Sequence, residues 1–407
     1  MDFIKRNEKR SMNIVVQKFG GSSVADTDKI KKIAERIRSR VLQGNKLVVV
    51  TSAMGKTTDN LIKLAKEISP KPEPRELDML LTTGEQISIS LLAIALNEVN
   101  IKSKSLNAFQ AEIMTTGDFN EARIKNIKSQ KIFDLFEEYD VITIAGFQGI
   151  NEEGDLTTLG RGGSDTSAVA LAAALKAPCE IYSDVDGIYT CDPRLHPNAK
   201  KLKFVTYDEM LEMASLGAKV LHSRSVEIAK KFDITLYCAA TFSEVEGTYI
   251  VKDNIEQPVV TGLSVMDNQT QVTLSRLPED YTFIHKIFSN VAEEGLNVDM
   301  ISIIDDDNSL TVSFSIIDES KEDVESALHH SLKDLEKWNL TYHPGYSKLS
   351  IVGVGMRSSS GVASKFFGAL QQIPIKLVTT SEIKISCLVE TSFKQQAVEA
   401  LTKAFDL

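Results

Sequence analysis

Short, uninterrupted apolar runs separated by segments of helical period limit what this chain can fold into more than any other feature. Ile14, Val15 and Val16 lie in a strand pattern over Asn13–Lys18, the Gly20-Gly21 pair follows, and Ile30, Ile33, Ala34, Ile37 and Val41 recur on one helical face. Leu47–Val50, Val141–Ala145 and Glu180–Tyr182 repeat the strand pattern with helical stretches between them. A strand apolar on both faces has to be covered on both, so the pattern predicts an α/β domain, a mainly parallel sheet sandwiched by helices. Lys71-Pro72-Glu73-Pro74 reads as a turn ahead of a helix carrying Leu77–Leu81.

Beyond residue 250 the texture changes. The spacing predicts strand 270–274, helix 283–294, strand 298–304, strand 310–316 and helix 320–333, a small α+β sandwich. A second copy follows it. Lys286-Ile287-Phe288 opens a helix leading into Val298–Ser302, and 77–79 residues later Lys365-Phe366-Phe367 opens one leading into Ile375–Thr379. Each continues into a further apolar strand, Leu310–Ile316 and Ile383–Val389, so the region reads as a duplicated unit. The expected parts are a poorly ordered extension at 1–12, the α/β domain at 13–250, and two smaller units at 251–345 and 346–407.

A chain of 407 residues supports two or three separate cores. With 43% hydrophobic residues it holds no apolar run near the ~20 residues that a membrane span needs. The balance of 46 basic against 56 acidic residues gives −10, which opposes nonspecific attraction to nucleic acid or an anionic membrane. Any anionic ligand therefore needs local positive sites. Cys179, Cys191, Cys238 and Cys387 form no C-x-x-C pair and read as reduced structural thiols of a cytoplasmic protein. Residues 1–11 are basic but lack the apolar core and cleavage site of a signal peptide. The six histidines show no ligand spacing, so no dedicated transition-metal site is expected.

Three segments carry chemistry. Lys18-Phe19-Gly20-Gly21 closes the first strand: glycines admit a ligand near the backbone, the next helix offers free N–H groups, and the lysine adds a charge for phosphate. It is neither a Walker P-loop nor a G-x-G-x-x-G dinucleotide turn. Thr157–Asp165 places three glycines, Arg161, Ser164 and Asp165 at a helix start; the arginine offers a planar fork for a carboxylate, while Ser164 and Asp165 can cap the helix or reach ligand or metal. Ser183–Arg194 follows a short strand, and its aspartates alone read as turn residues.

Together these segments resemble the aspartate kinases of the amino-acid kinase family. The likeness continues in Thr51–Asp59, Thr83-Gly84-Glu85, Gly146–Gly149 and Ser215–His222, and runs from residue 13 to the C-terminus. It implies the amino-acid kinase fold followed by two α+β ACT domains (βαββαβ), one inserted within the other. The implied reaction is ATP + L-aspartate to ADP + 4-phospho-L-aspartate, which opens aspartate-family amino-acid biosynthesis. The implied cofactors are ATP and Mg²⁺, with Mg²⁺ carried on ATP and Asp165 its one candidate protein ligand.

By the same resemblance Lys18, Arg161 and Asp165 are catalytic, with Asp165 orienting Lys18 and helping to organise the Mg²⁺–phosphate cluster. L-aspartate lies among Ser52, Thr58, Glu85, Arg161, Gly162, Gly163 and Ser164, and the nucleotide meets Lys18, Phe19, Gly20, Gly21, Ser183, Asp184, Tyr189, Arg194, Lys219 and Val220. Asn297, Val298, Asp299, Gly361, Val362, Pro374, Ile375, Ser381 and Glu382 are the expected contacts of a lysine or threonine effector, and the ACT domains would join a homodimer or homotetramer. Departures cluster in the tail: Tyr281-Thr282, Ile303, Ser360 and Pro374 replace family residues at effector positions. They make feedback control less secure than catalysis. Ser223 and Ala239-Ala240-Thr241 depart within the kinase region, outside the substrate set. Two rival readings are a kinase of this fold with another acidic acceptor, and a noncatalytic amino-acid sensor.

Overall fold

The computed structural model describes residues 12–217, 220–253, 258–306, 309–333, 335 and 337–407, so the expectation for residues 1–11 lies outside them. The described chain forms two compact units. Residues 189–200 and 215–217 group with the tail, and the remainder up to 253 forms the first unit.

The first unit opens with β1 (Asn13–Phe19), α1 (Thr27–Leu42), β2 (Asn45–Thr51), α2 (Thr57–Ile68), α3 (Pro74–Leu81), α4 (Thr83–Glu98) and β3 (Ser103–Leu106). The predicted strand, glycine turn and helix are all present. Asp26 caps α1 by accepting from Lys29 N–H, and Ile30, Ile33, Ala34 and Ile37 are its buried stripe. Pro74, read as part of a turn, is the first residue of α3, where its missing N–H costs nothing.

Next come α5 (Ala108–Ala111), β4 (Ile113–Thr115), β5 (Ile124–Ile127), α6 (Gln130–Leu135), β6 (Val141–Ala145), β7 (Gln148–Ile150), β8 (Leu156–Thr158), α7 (Gly163–Leu175) and β9 (Cys179–Ser183). After β10 (Phe204–Thr206), α8 (Tyr207–Ser215) and α9 (Ser223–Phe232), strands β11 (Leu236–Ala240) and β12 (Thr248–Val251) finish the sheet.

Its order is β10-β12-β11-β9-β1-β2-β6-β3. Strand β1 sits at its centre, parallel to both β2 and β9. Val15, Phe19, Leu47 and Val49 pack with α1 and α4 residues such as Ile33 and Leu92. Alternation leaves Val16 and Lys18 to the other face, where α7 packs on β1. A second sheet, β5-β4-β7-β8, was not foreseen; its strands are only three or four residues long. All four cysteines are free and buried.

The stretch Pro74–Glu98 is long and apolar enough to cross a membrane by length and composition alone. It is instead two helices meeting at Thr82, with polar side chains engaged inside the fold: Asp78 holds Thr158, and Glu85 holds Ala53.

The second unit contains β13 (Gly262–Leu277), α10 (Thr282–Glu293), β14 (Asp299–Asp306), β15 (Ser309–Ile317), α11 (Lys321–Ser331), β16 (Asn339–Val352), α12 (Val362–Ala369), β17 (Ile375–Thr380), β18 (Lys384–Glu390) and α13 (Lys394–Phe405). One six-stranded sheet, β14-β15-β13-β16-β18-β17, carries two cores. One gathers Val272, Phe314, Ile287 and Leu328, the other Leu263, Ile351, Phe366 and Leu401. Strands β13 and β16 run through both halves: Gly262–Met266 pairs with Lys348–Val352, and Gln271–Ser275 pairs with Asn339–His343. The expected boundary at 345/346 therefore falls inside β16. Pro344-Gly345 accompanies a register shift opposite Thr270, and a second shift beside it, opposite Ser347, contains Asn268, whose φ is +58°.

Candidate active site

Four parallel strands end at one edge of the first sheet, and backbone bonds tie their exits together. Ser52 N–H donates to Phe19 O at 3.1 Å, Gly20 N–H to Tyr182 O at 3.2 Å, and Gly146 N–H to Thr51 O at 3.1 Å. Ligands of open α/β sheets collect at such carboxyl ends. Lys18, the penultimate residue of β1, turns to the α7 face, where its Nζ meets Asp165 Oδ1 at 2.6 Å; the two side chains are only 11% and 13% exposed. By its residue type and place Asp165 could cap α7 or reach a ligand, and the family resemblance implied that it orients Lys18. No side chain caps this helix: its N-cap is Gly162, and Asp165 in the first turn serves Lys18 instead.

Gly21 has a specific steric reason. A Cβ there would lie 2.9 Å from Ala53 O and 3.3 Å from Gly55 O, so only glycine lets the loop after β2 close over this turn, where Gly55 N–H donates to Gly21 O. That loop carries Ser52, and Thr58 lies in the first turn of α2; both are half-buried. Glu85 stands in the first turn of α4, 2% exposed. Its Oε1 accepts from Ala53 N–H at 3.0 Å, while Oε2 is buried without a partner among the described residues. Burial raises its pKa to about 7, against the lowering effect of the Ala53 bond. An unpartnered carboxylate oxygen beneath a strand edge is a receptor for a cation, such as an ammonium group.

Arg161 lies between β8 and α7, exposed, with no hydrogen bond or ion pair among the described residues. Ser164, in contrast, is buried in the first turn of α7. Gly162 supports the turn from below: its φ is +67°, and a Cβ would come within 2.2–2.7 Å of the His222 ring. Both the left-handed backbone and the collision disfavour any side chain. Gly162→Ala is expected to destabilise the first unit by about 2–4 kcal/mol, seen as a lower urea midpoint. Adding His222→Ala should recover only part of the collision, because alanine keeps the Cβ that would lie 2.3 Å away, and none of the backbone strain.

Among the residues expected to meet the nucleotide, Ser183 ends β9, and its hydroxyl accepts from Val185 N–H at 3.2 Å just past the exposed Asp184. Thr241, one of the departures from family pattern, is built into this edge. Its N–H donates to Ser183 O at 2.9 Å and its hydroxyl lies 2.6 Å from that of Ser23. Tyr189 and Arg194 belong to the segment that groups with the second unit. Arg194, expected from the resemblance to supply local positive charge, pairs with Asp192, with Nη2 at 2.6 Å from Oδ2. Lys219 lies outside the described residues, and Val220 follows it in a turn. No cluster of three or more His, Cys, Asp or Glu suited to a metal occurs among the described residues.

Residues 13–240 match the amino acid kinase family, and 349–405 match an ACT domain. Aspartokinase of Bacillus sp. (strain MGA3) is 48% identical over 402 residues, covering 97% of this chain and 98% of the relative. That of Geobacillus stearothermophilus is 47% identical over 403 residues, with the same coverage. The chain belongs to the aspartokinases. The fold agrees: Escherichia coli aspartokinase III, solved with aspartate and ADP, superposes with a TM-score of 0.79 at 25% identity, covering 97% of this chain and 100% of that one. This aspartokinase is thus a phosphotransferase with a carboxyl group as acceptor and ATP as donor, on a fold that ends in ACT-type structure.

In the tail of the aspartokinase, the residues expected to meet an effector separate into groups. Gly361, Val362, Ser381 and Glu382 line one cavity of about 510 Å³ with Met356, Arg357 and Thr380. Arg357 Nε and Glu382 Oε2 form an ion pair of 3.0 Å there. Pro374 and Ile375 are not among its lining residues. Asp299 is engaged elsewhere, in an ion pair with the buried Lys348 of β16. Arg357 and Lys348 were missed by sequence reading, which had only the family pattern to follow in this region.

Proposed function

We propose that Lys18, Asp165 and Arg161 carry the transfer of the γ-phosphoryl group of ATP to the side-chain carboxylate of L-aspartate. The observation that carries this reading is the Lys18–Asp165 ion pair at the exit of the central strand, beside the uncapped start of α7. Lys18 and the Phe19-Gly20-Gly21 turn take the phosphates, and Lys18 offsets charge as the phosphoryl group moves. The acceptor carboxylate is already ionised at neutral pH, so no general base is needed. One carboxylate, Asp165, suits Mg²⁺, which keeps few protein ligands and leans on substrate phosphates.

Arg161 and Ser164 receive a substrate carboxylate, Glu85 the α-ammonium, and Ser52 and Thr58 complete the pocket. Ser183, Asp184, Tyr189, Arg194, Lys219 and Val220 serve the nucleotide. Arg161→Ala should raise KM for aspartate about 10–100-fold while KM for ATP moves less than about twofold, read by trapping aspartyl phosphate as hydroxamate. Equal changes for both substrates would sink the assignment.

For regulation we infer that a free amino acid enters the 510 Å³ cavity, with Arg357 facing its carboxylate and Glu382 its ammonium. Escherichia coli aspartokinase III has been solved with lysine and aspartate, which supports lysine among the effectors to test. Hydroxamate assays with lysine, threonine and both, on native and Arg357→Ala enzyme, decide the matter; inhibition untouched by the substitution sinks it. The apolar edge formed by Ile301, Ile303 and Ile304 of β14 supports self-association through the tail, testable by sedimentation. Four free thiols fit a reducing cytoplasm.

A further inference from the structure

Helix α3 carries an aspartate that packing alone does not call for. Asp78 is fully buried, and its carboxylate satisfies three donors: Oδ2 accepts from Thr158 N–H at 2.8 Å and from Asn120 N–H at 2.9 Å, and Oδ1 accepts from the Thr158 hydroxyl at 2.6 Å. A buried carboxylate is costly unless so bonded, and once bonded it is a stiff joint. Thr158 ends β8, three residues before Arg161. One turn earlier on α3, Arg75 Nε and Nη2 reach Asp155 Oδ1 at 3.1 and 2.9 Å, fixing the far end of the same strand.

A second clamp comes from α9. Arg224, half-buried, donates from Nη1 to Leu159 O at 2.5 Å and from Nη2 to Ala122 O at 3.0 Å. Ala122 N–H in turn donates to Thr158 O at 2.9 Å. Two charged side chains from separate helices thus immobilise the residues just before Arg161, while Arg161 itself is exposed and without a hydrogen bond or ion pair among the described residues. A guanidinium awaiting a ligand has to be aimed by its backbone.

We propose that Asp78 and Arg224 are positioning residues for acceptor recognition: they fix where Arg161 meets the carboxylate of the acidic substrate without touching the substrate. The inference rests on Arg161 binding a substrate carboxylate. Misplacing a binding group by about 1 Å costs up to about 100-fold in rate, the size of effect at stake.

The test is a double-mutant cycle in the full-length enzyme, with kcat and KM measured for aspartate and for ATP. Asp78→Ala should lower kcat/KM for aspartate about 10–100-fold with KM for ATP within about twofold. In an Arg161→Ala background the same substitution should change kcat/KM for aspartate less than about threefold, because the group it aims is gone. Asp78→Asn, whose carbonyl can accept from both N–H groups and whose amide can donate to the Thr158 hydroxyl, should restore most of the loss. Should Asp78→Ala fail to fold, Arg224→Ala supports the same cycle. Losses of equal size in both backgrounds, or a parallel rise in KM for ATP, overturn the positioning role alone. An Arg161→Ala enzyme with unchanged KM for aspartate overturns the site reading and this inference with it.

Discussion

Lys18→Ala lowers the rate of aspartyl-phosphate formation about 1,000-fold, with KM for aspartate changed far less. The size follows from what the side chain faces. Its ammonium is 11% exposed and 2.6 Å from Asp165, so truncation removes a cation from the path of the phosphates and leaves an anion in its place. The incoming nucleotide then meets repulsion where it had met attraction. Lys18→Arg is not a conservative rescue, because a planar, delocalised guanidinium cannot reproduce the compact charge that meets Asp165 Oδ1 at 2.6 Å. Asp165→Asn should cost less than Lys18→Ala, since it leaves the lysine free to meet phosphate directly. Trapped aspartyl hydroxamate gives the rate and thermal melting checks the fold; an unchanged rate in a folded Lys18→Ala enzyme refutes the mechanism.

The strand edge that carries the proposed site was legible because its residues obey local rules. A buried strand, a glycine turn and an amphipathic helix are written in consecutive residues, and they place Lys18 at a strand exit without any knowledge of the rest. The partner was legible only through the family resemblance, which implied that Asp165 orients Lys18. Asp165 lies 147 positions away by number, and nothing local says that it will bind Lys18 rather than cap its own helix. Asp78 was hidden differently: within Leu77–Leu81 it reads as one polar residue on an apolar helix, and only its contacts with Thr158 and Asn120 distinguish it from a solvated one.

The tail shows a third limit. Its helices follow the predicted pattern closely, because their apolar stripes are strong. Its two longest strands do not, since β13 and β16 pair with each other from one core to the other, and each has an outer neighbour along only one half, β15 for β13 and β18 for β16. Alternation records which face is buried, but it carries no mark of which neighbour does the burying. The Pro344-Gly345 pair compounds this, because the same dipeptide serves a turn or a bulge.

Glu85→Gln should remove a pH dependence that the native enzyme shows. With a pKa raised to about 7 by burial, Glu85 in the substrate-free enzyme gains its charge only as pH passes neutrality. If the ionised form receives the α-ammonium of aspartate, kcat/KM for aspartate falls about tenfold per pH unit below 7, while kcat stays flat because the bound ammonium holds Glu85 ionised. No group of free aspartate titrates between pH 5 and 8, so the bend belongs to the enzyme. In Glu85→Gln the bend disappears and kcat/KM drops about 10–100-fold at pH 8. Stability moves the other way. The folded state keeps its proton up to about pH 7 while the unfolded chain releases it near 4.5, so stability is lost as pH rises between those values, by about 3 kcal/mol in all. Relative to native enzyme, Glu85→Gln should therefore gain melting temperature between pH 5 and 8, and saturating aspartate should close the gap. A kcat/KM profile for aspartate that is level from pH 5.5 to 8 in the native enzyme would remove Glu85 from substrate recognition, because a carboxylate buried this deeply cannot bind an ammonium across that range without its own proton competing.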